Sequence, residues 1–128
     1  MFISCGTDII ETKRMKNALK RWKDSFLKRI FTDKEINYSM KRRFYCEHLA
    51  ARFAAKEAVL KAFGDGFSVV NLKDVEIIND KHGRPIVTLK REMEKLRKKK
   101  NITQICVSMS HTRNYAQAMA ILVAKNEK

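Results

Sequence analysis

Asp8 stands in an otherwise apolar run, Ile3-Ser4-Cys5-Gly6-Thr7-Asp8-Ile9-Ile10. A carboxylate in such a strand is expensive unless a cation or hydrogen-bond donors meet it. Glu57 and Lys61 lie one turn apart in a long helical pattern, so they share a side of that helix. On a helical wheel Leu49, Phe53, Leu60 and Phe63 form a bulky stripe, and Ala50, Ala51, Ala54, Ala55, Ala58 and Ala62 form a second face; Glu57 falls on the border between them. One carboxylate on a strand and another on a rigid helix suit a hard cation such as magnesium when phosphate oxygens and waters complete its shell. That chemistry is phosphoryl transfer. Each feature also has a plainer explanation: Glu57 and Lys61 have the spacing of an ordinary ion pair on an exposed edge, and Asp8 could pair with a core cation such as Lys56. His111, beside Ser110 and Arg113 at a strand end, is a further ligand-facing donor or a structural turn residue. Gly83-Arg84-Pro85 is a turn whose flat backbone edge could accept a base ring, and Arg97-Lys98-Lys99-Lys100 reads as a solvated helix end.

These side chains need elements to hold them. Residues 2–11 read as a strand ending at Thr12, an N-cap for a basic amphipathic helix over 13–29. Met15, Leu19, Trp22, Phe26 and Ile30 recur there at helical spacing and give a packing face, while Lys13, Arg14, Lys16, Lys20, Arg21, Lys23, Lys28 and Arg29 make the other. Thr32-Asp33-Lys34-Glu35 has the form of a capping box and starts a short helix. Lys41-Arg42-Arg43 leads into the long helix over 42–63, ended by Gly64-Asp65-Gly66. Residues 75–79 and 84–89 alternate as strands around Asp80-Lys81-His82-Gly83, a hairpin pattern, and 90–100 is a charged surface helix. Residues 102–110 and 115–124 are strands joined by a tight turn at 111–114, with Ile105, Val107, Met109 and His111 on one face. The reading is one compact α+β domain over residues 1–128, an antiparallel sheet packed against a long central helix.

Composition narrows the function. Lys and Arg number 28 against 14 Asp and Glu, a net charge of +14, while 45% of the residues are apolar and fall in periodic blocks. That is enough for a core and excludes disorder. No apolar run approaches the roughly 18 residues of a membrane span, and the N-terminus has no basic segment ahead of an apolar one. Cys5, Cys46 and Cys106 are scattered, with neither zinc-site spacing nor a disulfide framework, so a reducing cytoplasm is the expected setting. The basic balance attracts a polyanion: nucleic acid, acidic membrane or acidic protein.

Five blocks then act together. Gly6-Thr7-Asp8-Ile9-Ile10-Glu11, Phe31-Thr32-Asp33-Lys34-Glu35, the run from Ala51-Arg52-Phe53 through Lys56-Glu57 to Lys61-Ala62, Gly83-Arg84-Pro85 and Ser108-Met109-Ser110-His111-Thr112 closely resemble the holo-(acyl-carrier-protein) synthase family, in its order and spacing across nearly the whole chain. The resemblance implies a 4'-phosphopantetheinyl transferase fold assembled as a homotrimer with active sites at subunit interfaces. It implies an enzyme that takes coenzyme A and magnesium, moves the phosphopantetheine arm to a serine of apo acyl carrier protein, and releases adenosine 3',5'-bisphosphate in support of fatty acid biosynthesis. On the same resemblance Asp8 and Glu57 are magnesium ligands, Lys61 is the cation beside the pyrophosphate, and Arg52, His111 and Arg43 hold the 3'-phosphate region. Gly83, Arg84 and Pro85 line the adenine, and Arg14 and Arg21 lead the face that docks the acidic helix of the carrier protein. Either Glu57 or a metal-held water takes the serine proton, while Lys61 stabilises the departing group. Cys5 and Met109 stand where the family is often aliphatic, and Asp65 adds a negative charge near the expected phosphate region.

Two other classes compete. A small basic RNA- or ribosome-binding module suits the charge of +14. It calls for aromatics on a basic sheet, whereas Trp22, Phe26, Phe53 and Phe63 fall in helical core stripes, and it gives no reason for Asp8 or Glu57 to be acidic. A silent relative that only binds coenzyme A or carrier protein is opposed by the intact Asp8, Glu57 and Lys61 set.

Overall fold

The computed structural model describes residues 1–64 and 71–125. Strand β1 (Phe2–Glu11) runs directly into helix α1 (Thr12–Ile30), followed by α2 (Asp33–Met40) and the long α3 (Tyr45–Phe63). A 3-10 turn (Leu72–Asp74) precedes the hairpin β2 (Val75–Asn79) and β3 (Pro85–Leu89), then α4 (Arg91–Lys99), β4 (Ile102–His111) and β5 (Tyr115–Ala124). The strands form two antiparallel sheets, one of three strands in the order β1-β5-β4 and one made of the β2-β3 hairpin alone. Helix α3 lies across the inner face of the larger sheet, where Ala54, Ala55, Ala58 and Ala62 meet Ala118 and Ala120 in the core. Small residues on both surfaces let backbone approach backbone. The closest approach is at Gly6, where a Cβ would sit 2.2 Å from the Ala58 carbonyl oxygen and 2.7 Å from the Ala62 nitrogen. Asp8, two residues further along the same face of β1, is thereby held against α3.

The capping box forms as expected: the Thr32 amide donates to Glu35 Oε1 at 2.9 Å and the Glu35 amide donates to Thr32 Oγ1 at 3.3 Å. Four expectations need correction. Thr12 does not cap α1. Glu11 occupies the cap position without a side-chain bond, the Thr12 amide donates to the Asn114 carbonyl, and Thr12 Oγ1 is buried without a partner. Helix α1 is broken at Lys23, whose φ of 48° and ψ of −131° rotate the second half relative to the first. Trp22 therefore stands 53% exposed rather than in the core, with the Arg21 guanidinium 5.1 Å from its ring centre, and Leu27 takes the buried position. Helix α3 begins at Tyr45 rather than Arg42, and the loop containing Asp65 and Gly66 lies outside the described residues.

Lys56 is also not the partner of Asp8. Its Nζ lies 2.8 Å from Glu35 Oε1, both side chains are fully buried, and it donates to the carbonyls of Leu72 and Val75. Burial pulls the Lys56 pKa down, and the Glu35 carboxylate opposes that pull. Glu35 Oε2 in turn accepts from the Ile77 amide at 2.7 Å, so the pair ties α2, α3 and the hairpin together. Lys56→Met leaves that carboxylate buried without its cation and is expected to cost about 3–5 kcal/mol in urea unfolding. Lys95→Ala, at the exposed pair with Glu92, is expected to cost less than about 1 kcal/mol.

Candidate active site

Most of the site residues gather at the two edges of the larger sheet, β1 and β4. The first group lies at the β1 edge, in a cleft of about 320 Å³ where Asp8, Glu57 and Arg14 face an apolar wall of Met15, Phe26 and Phe53. Lys61 Nζ lies 2.9 Å from Asp8 Oδ1 and donates to the Thr7 carbonyl at 3.0 Å. Lys61 therefore turns to the strand instead of closing an ion pair with Glu57 along the helix. Partial burial raises the Glu57 pKa, the neighbouring Asp8 charge raises it further, and Lys61 opposes both. Two carboxylates from two elements thus share one field, and the Lys61 ammonium is bound to one of them.

The second group gathers at the β4 edge. Asp8 and Met109 sit in one cross-strand row on either side of Ala118, so β5 separates this edge from the first. His111, at the end of β4, has Nδ1 2.9 Å from Glu47 Oε1, and the His48 ring meets its edge at 5.1 Å between centres. Burial lowers the His48 pKa, and the nearby His111, Arg52 and Arg42 charges lower it further. The Gly83-Arg84-Pro85 turn faces Val107, Ser108 and Met109 across a cleft of about 660 Å³. Gly83 adopts φ 85°, a left-handed conformation that favours glycine. Asp80 Oδ1 fixes the turn by accepting from the His82 amide at 2.8 Å and the Arg84 amide at 2.9 Å.

Arg52, expected at the 3'-phosphate region, is 2% exposed in the chain and donates through Nη2 to Asn79 Oδ1, with its guanidinium 4.3 Å from the Tyr38 ring centre. Arg43 lines a third cleft, of about 750 Å³, with Lys13, Lys16, Lys20 and Arg113 at the start of α3. Glu47, the partner of His111, lines the same cleft, so this cleft reaches the His111 edge. Arg14 opens onto the Asp8 cleft, whereas Arg21 stacks on Trp22 further along α1. Sequence reasoning missed Asn79, Glu47 and Tyr38. Asn79 had a weak signal in its place just before the hairpin turn; Glu47 and Tyr38 had none, since what matters is a distant partner.

A family model described as the 4'-phosphopantetheinyl transferase superfamily matches residues 4–120. The chain is 47% identical over 123 residues to the holo-(acyl-carrier-protein) synthase of Clostridium tetani, covering 95% of this chain and 96% of that one. It is 43% identical over 118 residues to the synthase of Syntrophus aciditrophicus, covering 91% and 92% of the two chains. Among solved structures, a synthase-coenzyme A complex from Chronobacterium ammoniagenes superposes with a TM-score of 0.87 at 29% identity, covering 98% of this chain and 100% of that one. The Helicobacter pylori synthase in complex with coenzyme A gives 0.82 at 28% identity, covering 93% and 99%. The strand bearing Asp8, the helix bearing Glu57 and Lys61, and the edge bearing His111 all lie within the matched span, and the chain belongs to the holo-(acyl-carrier-protein) synthases of the 4'-phosphopantetheinyl transferase superfamily.

Proposed function

We infer that the chain moves the 4'-phosphopantetheine arm of coenzyme A to a serine of an acidic apo acyl carrier protein, in the cytoplasm and in support of fatty acid biosynthesis. The observation that carries the reading is the convergence of Asp8 and Glu57 on one cleft, with Lys61 already drawn to Asp8. Two carboxylates that feel each other and offer only oxygen donors fit magnesium, which takes one or two protein carboxylates and fills its shell with phosphate oxygens and water. Bound there, magnesium supplies charge neutralisation at the diphosphate and positions the attacked phosphorus. The serine oxygen forms the new bond to phosphorus as the diphosphate oxygen bond breaks, releasing adenosine 3',5'-bisphosphate, and the serine proton passes to Glu57 or to a water held beside it. Lys61, half-exposed and able to swing from Asp8 to the diphosphate, offsets charge on the departing group. Arg14 at the cleft and Arg21 beyond it give α1 a positive track for the acidic partner.

His111 and the Gly83–Pro85 turn, assigned here to coenzyme binding, lie at the β4 edge with β5 between them and Asp8, so one chain carries two half-sites, and Arg43 lines a separate cleft beside α1. Ile3, Ile9, Tyr115 and Met119 are exposed together on the outer face of the larger sheet, an apolar patch of the kind that meets another protein surface. A homotrimer that joins the Asp8 edge of one copy to the His111 edge of the next accounts for both facts. Co-refolded mixtures of Glu57→Gln and His111→Ala chains are expected to recover transfer activity that neither variant shows alone, because some interfaces then unite two intact halves. Mixtures no more active than the sum of the two variants would confine the site to one chain.

A further inference from the structure

Two successive residues at the start of α3 both reach His111. Glu47 Oε1 lies 2.9 Å from His111 Nδ1, and the His48 ring meets the His111 ring at 5.1 Å between centres, with 64° between their planes. His48 has Tyr38 of α2 as a second ring neighbour, at 6.4 Å and again edge-on. Arg42 and Arg52 also face His48, which packs as an uncharged ring because burial and these cations lower its pKa. Glu47 is conspicuous by charge. It is the one acid lining a cleft that carries Lys13, Lys16, Lys20, Arg43 and Arg113, yet its ion contact among the described residues goes to the imidazole and to none of those five. A carboxylate at Nδ1 fixes the ring's orientation, accepts the Nδ1 proton as a hydrogen bond and offsets the charge that forms when Nε2 is protonated as well. Nε2 has no partner among the described residues, and the His111 side chain is 30% exposed.

We propose that Glu47 and His48 are positioning residues that seat the His111 imidazole so that Nε2 is left to donate to a phosphate of the coenzyme, Glu47 through the hydrogen bond at Nδ1 and His48 through ring contact. The proposal rests on the coenzyme A reading above. It also explains why an acid is kept in a cleft that otherwise gathers cations.

The test turns on a sign. Coenzyme A is a polyanion, so deleting an acid from a basic cleft tightens its binding if Glu47 is only a nearby charge. If Glu47 seats His111, the same deletion weakens binding. Calorimetric titration of the full-length protein with coenzyme A is expected to show Glu47→Ala about tenfold weaker than the unaltered protein. KM for coenzyme A should rise by a similar factor while kcat at saturating coenzyme stays within about twofold. Glu47→Gln keeps an acceptor for the Nδ1 proton and should recover part of the loss, and as a near-isostere it keeps the test sound if another variant unfolds. His48→Phe retains a ring and should bind as the unaltered protein does, whereas His48→Ala should bind more weakly. Adding Glu47→Ala to His111→Ala should cost nothing further, because the two residues act as one unit. A loss confined to coenzyme A supports the proposal at the 3'-phosphate, and an equal loss with 3'-dephospho-coenzyme A supports it at the diphosphate. Tighter binding in Glu47→Ala, or a further loss when it is added to His111→Ala, would overturn the proposal. Unchanged affinity in His48→Ala would overturn the part given to His48. If the unaltered protein bound neither compound, the coenzyme A reading itself would fall, and this proposal with it.

Discussion

Glu57→Gln is expected to lower phosphopantetheine transfer by about 10³-fold and, in the same protein, to raise thermal stability at neutral pH without ligands. The activity loss follows from the proposed roles of this carboxylate, which would hold magnesium and take the serine proton. The stability gain follows from linkage. Burial and the Asp8 charge set the folded-state pKa of Glu57 above its unfolded value. Between those two values the folded protein keeps a proton that the unfolded chain has already released, so stability falls as pH rises through the window, and the full cost is present above it. Glutamine has no charge to desolvate. The melting temperature of the variant should therefore exceed that of its parent at pH 7, and the gap should close as pH drops below the ordinary carboxylate range. Full transfer activity in Glu57→Gln at saturating magnesium would remove both roles from this residue. Activity of the unaltered protein should fall with acid through the same raised pKa, because the protonated carboxyl is a poor metal ligand and cannot act as a base.

Gly6→Ala is expected to damage fold and site together. The new Cβ would meet the Ala58 carbonyl oxygen at 2.2 Å and the Ala62 nitrogen at 2.7 Å, both of them backbone atoms that no rotamer change can move aside. Strand β1 must withdraw from α3, at an expected cost of about 1–3 kcal/mol or more. Asp8 moves with the strand, and a displacement of about 1 Å at a reacting centre is worth roughly 10²-fold in rate. Transfer activity should fall by at least that factor even in buffer where the variant stays folded, as judged by denaturant unfolding and circular dichroism. Gly83→Ala is the control. Nothing lies within 4 Å of its Cβ position, so only the positive φ opposes the change, and a cost near 1–2 kcal/mol is expected. A Gly6→Ala protein as stable and as active as its parent would disprove the close β1-α3 contact as the device that aims Asp8.

What could be read from the chain was what local pattern determines. The Thr32 capping box, the buried character of α3 and the hairpin around Asp80 each arise from a few consecutive side chains, and each is present in the fold. The carboxylates could also be picked out, because an acidic residue inside an apolar strand or on the edge of an alanine-rich helix is chemically out of place. What could not be read depends on partners far apart in sequence. Lys56 looked available to Asp8 until α2 brought Glu35 beneath it, and Trp22 fitted a helical stripe that the break at Lys23 interrupts. Arg52 lies within the most recognisable motif of the chain, yet its neighbours Asn79 and Tyr38 come from other elements, and nothing within α3 announces them. The +14 charge is likewise resolved only in three dimensions: one basic track borders the Asp8 cleft, and a separate lysine-rich cleft opens at the start of α3.

Asp8 and Glu57 are proposed to serve metal-assisted transfer from coenzyme A to a carrier protein. Mass spectrometry of apo acyl carrier protein incubated with the full-length protein, coenzyme A and magnesium tests it most directly. The expected result is a gain of one phosphopantetheine per carrier molecule, with adenosine 3',5'-bisphosphate released in equal amount and both products lost when a chelator removes magnesium. An unchanged carrier mass, together with tight and salt-sensitive binding of RNA, would contradict it and favour a nucleic-acid-binding role.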